Sequence, residues 1–111
     1  MILVLEDDGC VHVYGTIEEV VMKVEALDAE GTLREVFDDR GQRFAIRWLI
    51  PNRQSRAFLG VSTAENGKYV LEPDGMPNTG SLLDMLTKAA LIFPPDREPD
   101  VRNLQRRLTP E

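Results

Sequence analysis

Cys10 and His12 carry the strongest intrinsic chemistry in this chain, and they stand two residues apart. On a strand, residues i and i+2 point to one face, so the pair has the geometry of two shared metal ligands. A zinc site needs three or four such ligands, and the chain has no other histidine or cysteine. The remaining ligands would all have to be carboxylates drawn from elsewhere. The spacing therefore reads as ordinary strand, with Cys10 a small apolar residue and His12 a surface or edge position. Glu6-Asp7-Asp8 invites comparison with a calcium loop. Counted from Asp7, position twelve is Glu18, but positions three and five are Gly9 and Val11, which offer no side-chain oxygen. The pattern fails and an acidic turn remains. Nucleophilic catalysis needs serine or cysteine beside a base. There is no Gly-x-Ser-x-Gly, no Walker loop and no dinucleotide-binding glycine pattern. Nineteen acids make any suggestive carboxylate pair uninformative. The expectation is a protein without enzymatic activity, cofactor or metal.

Charge is the most uneven property of the chain. Residues 1–39 hold eleven acids against two bases, a net −9, whereas residues 40–111 hold eleven bases against eight acids, a net +3. A negative field on one part of a small protein disfavours nucleic acid and anionic membrane, and it attracts and steers a basic protein. Arg40, Arg43, Arg47, Arg53 and Arg56 form the one counter-example. Arg43 and Arg47 share the outer face of one strand, and cross-strand pairing with acids such as Glu35 and Asp38 is the simpler reading than a nucleic-acid stripe.

The elements that must position these groups follow from periodicity and capping. The chain is expected to form one domain, 1–111, large enough to fold without metal or disulfide. Ile2–Leu5 and Cys10–Tyr14 read as a hairpin across the turn Glu6–Gly9. Thr16 with Glu19 is a capping box for a helix over Ile17–Leu27, carrying Val20, Val21 and Val24 inward and stopping at Asp28–Gly31. Leu33–Phe37 is strand-like. Phe44, Ile46, Trp48 and Ile50 alternate with Arg43, Ala45, Arg47 and Leu49, a strand whose bulky inner face buries Trp48. Pro51–Ser55 breaks it. Ala57–Ser62 and Lys68–Glu72 read as a further hairpin across Asn66-Gly67. Ser81 with Asp84 caps a helix running to Phe93, and Asp100 caps a last short helix. Hairpins dominate and no βαβ alternation is present. The fold class is α+β, a mostly antiparallel sheet with two or three helices packed on one face.

Three segments carry a family resemblance: Glu6–Tyr14 with its Val-His-Val element, Glu25–Gly31 as a helix ending in a Leu-Asp turn, and Val36–Gly41 as a hairpin with an Asp-x-x-Gly tip. Across residues 1–50 this arrangement resembles small bacterial immunity proteins encoded beside polymorphic toxins, including those delivered by Rhs and type VI secretion systems. The resemblance implies tight, non-catalytic binding that neutralises a cognate antibacterial toxin. A basic toxin suits the acidic field, and Asp7, Asp8, Asp38 and Asp39 at two turn tips become the candidate partner-binding residues. Two other readings compete: a non-catalytic accessory or regulatory subunit of a larger complex, and a small enzyme with a carboxylate site. The apolar start Met1–Leu5 is short and lacks a preceding basic region. No stretch approaches the ~18 apolar residues of a span, so a cytoplasmic protein is expected.

Overall fold

The computed structural model describes residues 1–56 and 62–110, with side chains for 1–53 and 65–110. Strands β1 (Ile2–Glu6), β2 (Val11–Tyr14), β3 (Leu33–Asp38), β4 (Arg43–Ile50), β7 (Lys68–Asp74) and β8 (Ile92–Phe93) form a six-stranded sheet in the order β7-β4-β3-β1-β2-β8. Every pairing in it is antiparallel except that of β2 with β8. Strands β5 (Arg53–Arg56) and β6 (Ser62–Glu65) make a separate two-stranded ladder. Among the described residues, four α-helices complete the α+β fold: α1 (Ile17–Lys23), α2 (Ala26–Thr32), α3 (Thr79–Lys88) and α4 (Glu98–Leu108).

The helices lie on both faces of the sheet, two on each, rather than on one. The reason is the pleat of β1, which is apolar on both sides. Leu3 points to a core with Val11, Val13 and Phe37, closed by Leu82, Met85 and Leu86 of α3 and Val101 and Leu104 of α4. Ile2 and Val4 point the other way, into a core with Val20 and Val24 from the α1 segment and Ala26 and Ala29 of α2. A strand with no polar face needs cover on each side.

The Thr16 cap forms as expected: the Glu19 N–H donates to Thr16 Oγ1 at 3.1 Å, and the Glu19 carboxylate accepts from the Gly15 N–H at 3.0 Å. The single helix expected over 17–27 is two helices. Val24 is extended, and its carbonyl accepts the buried Tyr69 hydroxyl at 2.7 Å. Gly31 lies inside α2 instead of stopping it. The helix expected to start at Ser81 starts earlier, because Asn78 is the cap and accepts from the Ser81 N–H. It also ends earlier, at Lys88. The next residues pair with the first hairpin: the Ala90 N–H donates to the Gly9 carbonyl and the Val11 N–H to the Leu91 carbonyl, both at 2.9 Å.

Strands β4 and β7 pair from Arg43↔Asp74 to Ile50↔Lys68, and β5 pairs with β6 from Arg53↔Glu65. The chain thus runs out along β4–β5 and back along β6–β7 as one antiparallel arm, and the molecule measures 62 × 27 × 20 Å. Asn66-Gly67 is a joint in this arm, not a hairpin turn. The strand expected over 57–62 lies outside the described residues except for Ser62. Pro51–Ser55, expected as a break, contains the first three residues of β5.

Asn52 and Asn66 fix the arm to α2. Asn52 Nδ2 donates to the Ala26 carbonyl at 2.8 Å and to the Glu30 carboxylate at 2.6 Å, while its Oδ1 accepts from the Gly67 N–H at 2.7 Å. Asn66 Oδ1 accepts from the Leu27 N–H at 3.0 Å, serving an N-terminal amide of α2 that the Glu25 side chain leaves free. The two arm strands touch at Gly67, where a Cβ would lie 2.0 Å from the Ile50 carbonyl oxygen and 2.7 Å from the Pro51 carbonyl carbon. Trp48 is half-buried, not buried. It packs against Tyr69 at 5.6 Å between ring centroids, on the same face as Phe44 and Ile46. A register shift after Trp48 turns Ile50 outward, so the bulky inner face ends one residue earlier than the alternation implies.

The two glycines Gly67 and Gly31 should respond in opposite ways. Gly67→Ala should lower unfolding free energy by about 3 kcal/mol, because backbone must move to admit the methyl. Gly31→Ala, in a helix with open space around it, should raise it by about 0.5–1 kcal/mol. Urea denaturation followed by tryptophan fluorescence measures both, and a tolerated Gly67→Ala would refute the close strand contact.

Candidate interaction surface

The four expected partner-binding acids are not brought together. In the pairing of β1 with β3, Ile2 lies opposite Asp38 and Glu6 opposite Leu33. The turn with Asp7 and Asp8 is therefore at one end of the sheet and the turn with Asp38 and Asp39 at the other, roughly 20 Å away at about 3.3 Å per residue. Two of the four also have local work. Asp8 Oδ1 accepts from the Cys10 N–H at 2.9 Å, and this hydrogen bond holds its carboxyl below the usual aspartate value. Asp38 Oδ1 accepts from the N–H groups of Arg40 and Gln42 at 2.8 and 3.0 Å, closing the turn before β4. Asp39 lies 3.8 Å from the Met1 ammonium. The Asp7 carboxylate is exposed and has no hydrogen bond among the described residues. Asp7 is free to meet a partner and Asp39, beside the Met1 ammonium, is partly exposed, whereas Asp8 and Asp38 are turn-formers.

The other chemically notable residues are absorbed by the fold. Cys10 is buried, and burial pushes its thiol above the usual cysteine value, with the neighbouring Asp8 adding to the shift. A raised thiol is a poor nucleophile at neutral pH. His12 stacks on Phe93 at 5.2 Å, and its Nε2 lies 3.2 Å from the Glu6 carboxylate. Among the described residues, no three histidine, cysteine, aspartate or glutamate side chains are grouped as a metal site. Arg43 lies over the Phe37 ring and pairs with Glu35 at 3.1 Å. Arg47 pairs with Glu72 at 2.8 Å. The Glu35 pairing is the one expected from the sequence. Asp38 binds backbone instead, and the Arg56 side chain lies outside the described ones.

Charge is segregated by layer. Segment 15–32, which builds the α1–α2 layer, holds five acids against one base, a net −4. Segment 79–108 on the opposite face holds four acids against five bases, a net +1. The acidic layer and the arm beside it also carry exposed apolar side chains, although Met76 and Leu91 are exposed elsewhere. Met22 on α1 is 81% exposed, and Leu49 and Ile50 at the base of the arm are 53% and 49% exposed. Met22 had a signal in the sequence: Val20-Val21-Met22 runs apolar through more of the helix circumference than one buried face can use. Ile50 had none, because its outward turn depends on the register of β7. No helix of the described residues is long and apolar enough to cross a membrane.

No protein-family model, curated protein or solved structure matches the chain.

Acid should weaken the first turn in a defined direction. Asp8 is depressed in the folded state, so its stabilising bond is fully present above the unfolded value of 3.8 and is lost as pH falls through the folded value. Asp8→Asn should flatten the loss of stability between pH 5 and pH 2 relative to the parent, measured as urea midpoints across that range. Tyr69 gives the alkaline counterpart. Burial pushes its hydroxyl up to about 12, so its contribution is complete below 10 and is lost as pH rises from 10 towards 12. Absorbance at a tyrosinate wavelength should show Tyr69 still neutral at pH 10.5, and Tyr69→Phe should cost about 1–2 kcal/mol through loss of the bond to Val24.

Proposed function

We propose that this chain is a non-catalytic, cytoplasmic immunity protein that binds a basic antibacterial toxin through its acidic side and blocks it. The observation that carries this reading is the charge segregation: the α1–α2 layer holds five acids, one base and solvent-facing Met22. Exposed apolar surface in a layer of net negative charge suits a protein partner better than a small substrate. The acidic turns at Asp7 and Asp39 extend the field beyond the helices and favour rapid encounter with a cation-rich surface. The resemblance of residues 1–50 to immunity proteins of polymorphic toxin systems supports the same conclusion.

The test is to capture the partner from the native host, express it alone and together with this chain, and measure growth. A partner that is toxic alone and harmless when co-expressed, and whose purified activity falls to zero at equimolar inhibitor, supports the reading. A captured partner that is not toxic, or whose activity is unchanged, refutes inhibition and favours an accessory subunit. The field itself has a separate signature. Asp7→Lys with Asp39→Lys should leave unfolding free energy within about 0.5 kcal/mol and should slow association at low salt by about tenfold, with little effect at high salt. Stopped-flow association at two ionic strengths measures this.

A further inference from the structure

On the outer side of α1, Ile17, Val21 and Met22 line a groove against Val70 and Leu71 of β7, with Glu18 at its lip. Val21 also lines an adjoining depression floored by Tyr69 and walled by Leu49, with Glu25 and Lys68 at its edge. The groove is a consequence of packing. Helical periodicity sends Val20 into the core, where it is fully buried, and leaves Val21 half-buried and Met22 in solvent. The register shift after Trp48 adds Ile50 to the exposed apolar surface at the base of the arm. Methionine suits such a position, since its flexible thioether adapts to the shape of an arriving side chain.

We propose that this groove receives an amphipathic helix of the partner, whose apolar side chains, one turn apart, enter the two depressions on either side of Val21 while flanking lysines or arginines face Glu18 and Glu25. This rests on the reading that the chain binds a basic protein, and it names the place and form of the contact. Charge complementarity selects the occupant. A second copy of this chain docking through the same surface would be related by a two-fold axis and would set its own acidic layer against this one. A basic helix avoids this repulsion, and helix-in-groove binding is read out through anchors at i and i+3 or i+4.

The test uses two synthetic helical peptides of about 18 residues with an identical leucine stripe, one with lysine and one with glutamate on the polar face. Each is titrated into the isotope-labelled full chain and followed by amide chemical shifts at low and high salt. The lysine peptide should bind, shift the signals of residues 17–22 and 68–71, and weaken with salt, while the glutamate peptide should not bind. Met22→Asp lies in solvent and should melt like the parent but bind the lysine peptide at least about tenfold more weakly. Equal binding of both peptides, no binding, shifts confined to the turns at 7–8 and 38–39, or parental affinity in Met22→Asp would each overturn the proposal. So would a dimer of the parent chain, seen by sedimentation, that Met22→Asp dissolves. With the native partner in hand the two readings separate. If Met22→Asp inhibits the partner as well as the parent does, the groove is wrong and the inhibitory function stands. If the parent inhibits nothing, the inhibitory function falls and the peptide result alone decides the groove.

Discussion

Strand β1 is sealed from solvent on both sides, and the placement of every other element answers to that. Leu3 and Val4 are completely buried, yet they point to opposite faces. Removing both faces from water requires a helical layer above and another below, and the two hydrophobic cores are the result. β2 and β3 flank β1 and extend each core by alternation, with Val11, Val13 and Phe37 on one side and Val36 on the other. The same centrality separates the acidic turns. Because β1 runs antiparallel to both neighbours, the turn that follows it and the turn that follows β3 must lie at opposite ends of the sheet.

The second constraint is the joint where the arm leaves the sheet. Strand β4 meets β3 at only two registered pairs, Val36↔Phe44 and Phe37↔Arg43, and then continues with β7. A two-stranded ribbon with that little lateral support is marginal by itself. It is held by Trp48, Tyr69 and Leu71 packing on the α1–α2 core and by the side-chain amides of Asn52 and Asn66 on α2. These contacts also settle the helices. The Tyr69 hydroxyl takes the Val24 carbonyl at the break between α1 and α2, and Asn66 serves the amide that opens α2. The helices and the arm therefore position each other, and the groove between α1 and β7 exists only once both are in place.

Function follows from where charge and apolar surface coincide. Five acids of the first third lie together in the segment that forms the α1–α2 layer, whereas the fold puts the turns with Asp7, Asp8, Asp38 and Asp39 at opposite ends of the sheet and Glu35 within β3. Local contacts then divide the turn acids by role: Asp8 and Asp38 are occupied with backbone amides, Asp39 lies beside the Met1 ammonium, and Asp7 is exposed. Met22 is exposed within this acidic layer, and the proposed partner contact rests on that coincidence. The arginines of β4 do not compete with this, because Arg43 and Arg47 are paired with Glu35 and Glu72.

What the sequence by itself determined is whatever short-range physics decides. The Thr16–Glu19 cap, the Asp8 and Asp38 turns and the alternation of Phe44, Ile46 and Trp48 depend on residues within a few positions of one another, and the −9 imbalance and the α+β class are sums of such local features. What only the tertiary structure decided is every point where a distant group outcompeted a local preference. Tyr69 divides a helix that periodicity would continue through Val24. The β1–β2 hairpin draws residues 90–93 out of a helix into a strand pairing. Asn66-Gly67, with the composition of a hairpin turn, becomes a joint because Asn52 and the Ile50 carbonyl meet it from fifteen or more residues away. The candidate surface belongs to the same class. A heptad of α1 shows that Met22 is apolar, but its exposure depends on which face of the helix the sheet covers, and that is set by β7 arriving from the far end of the arm.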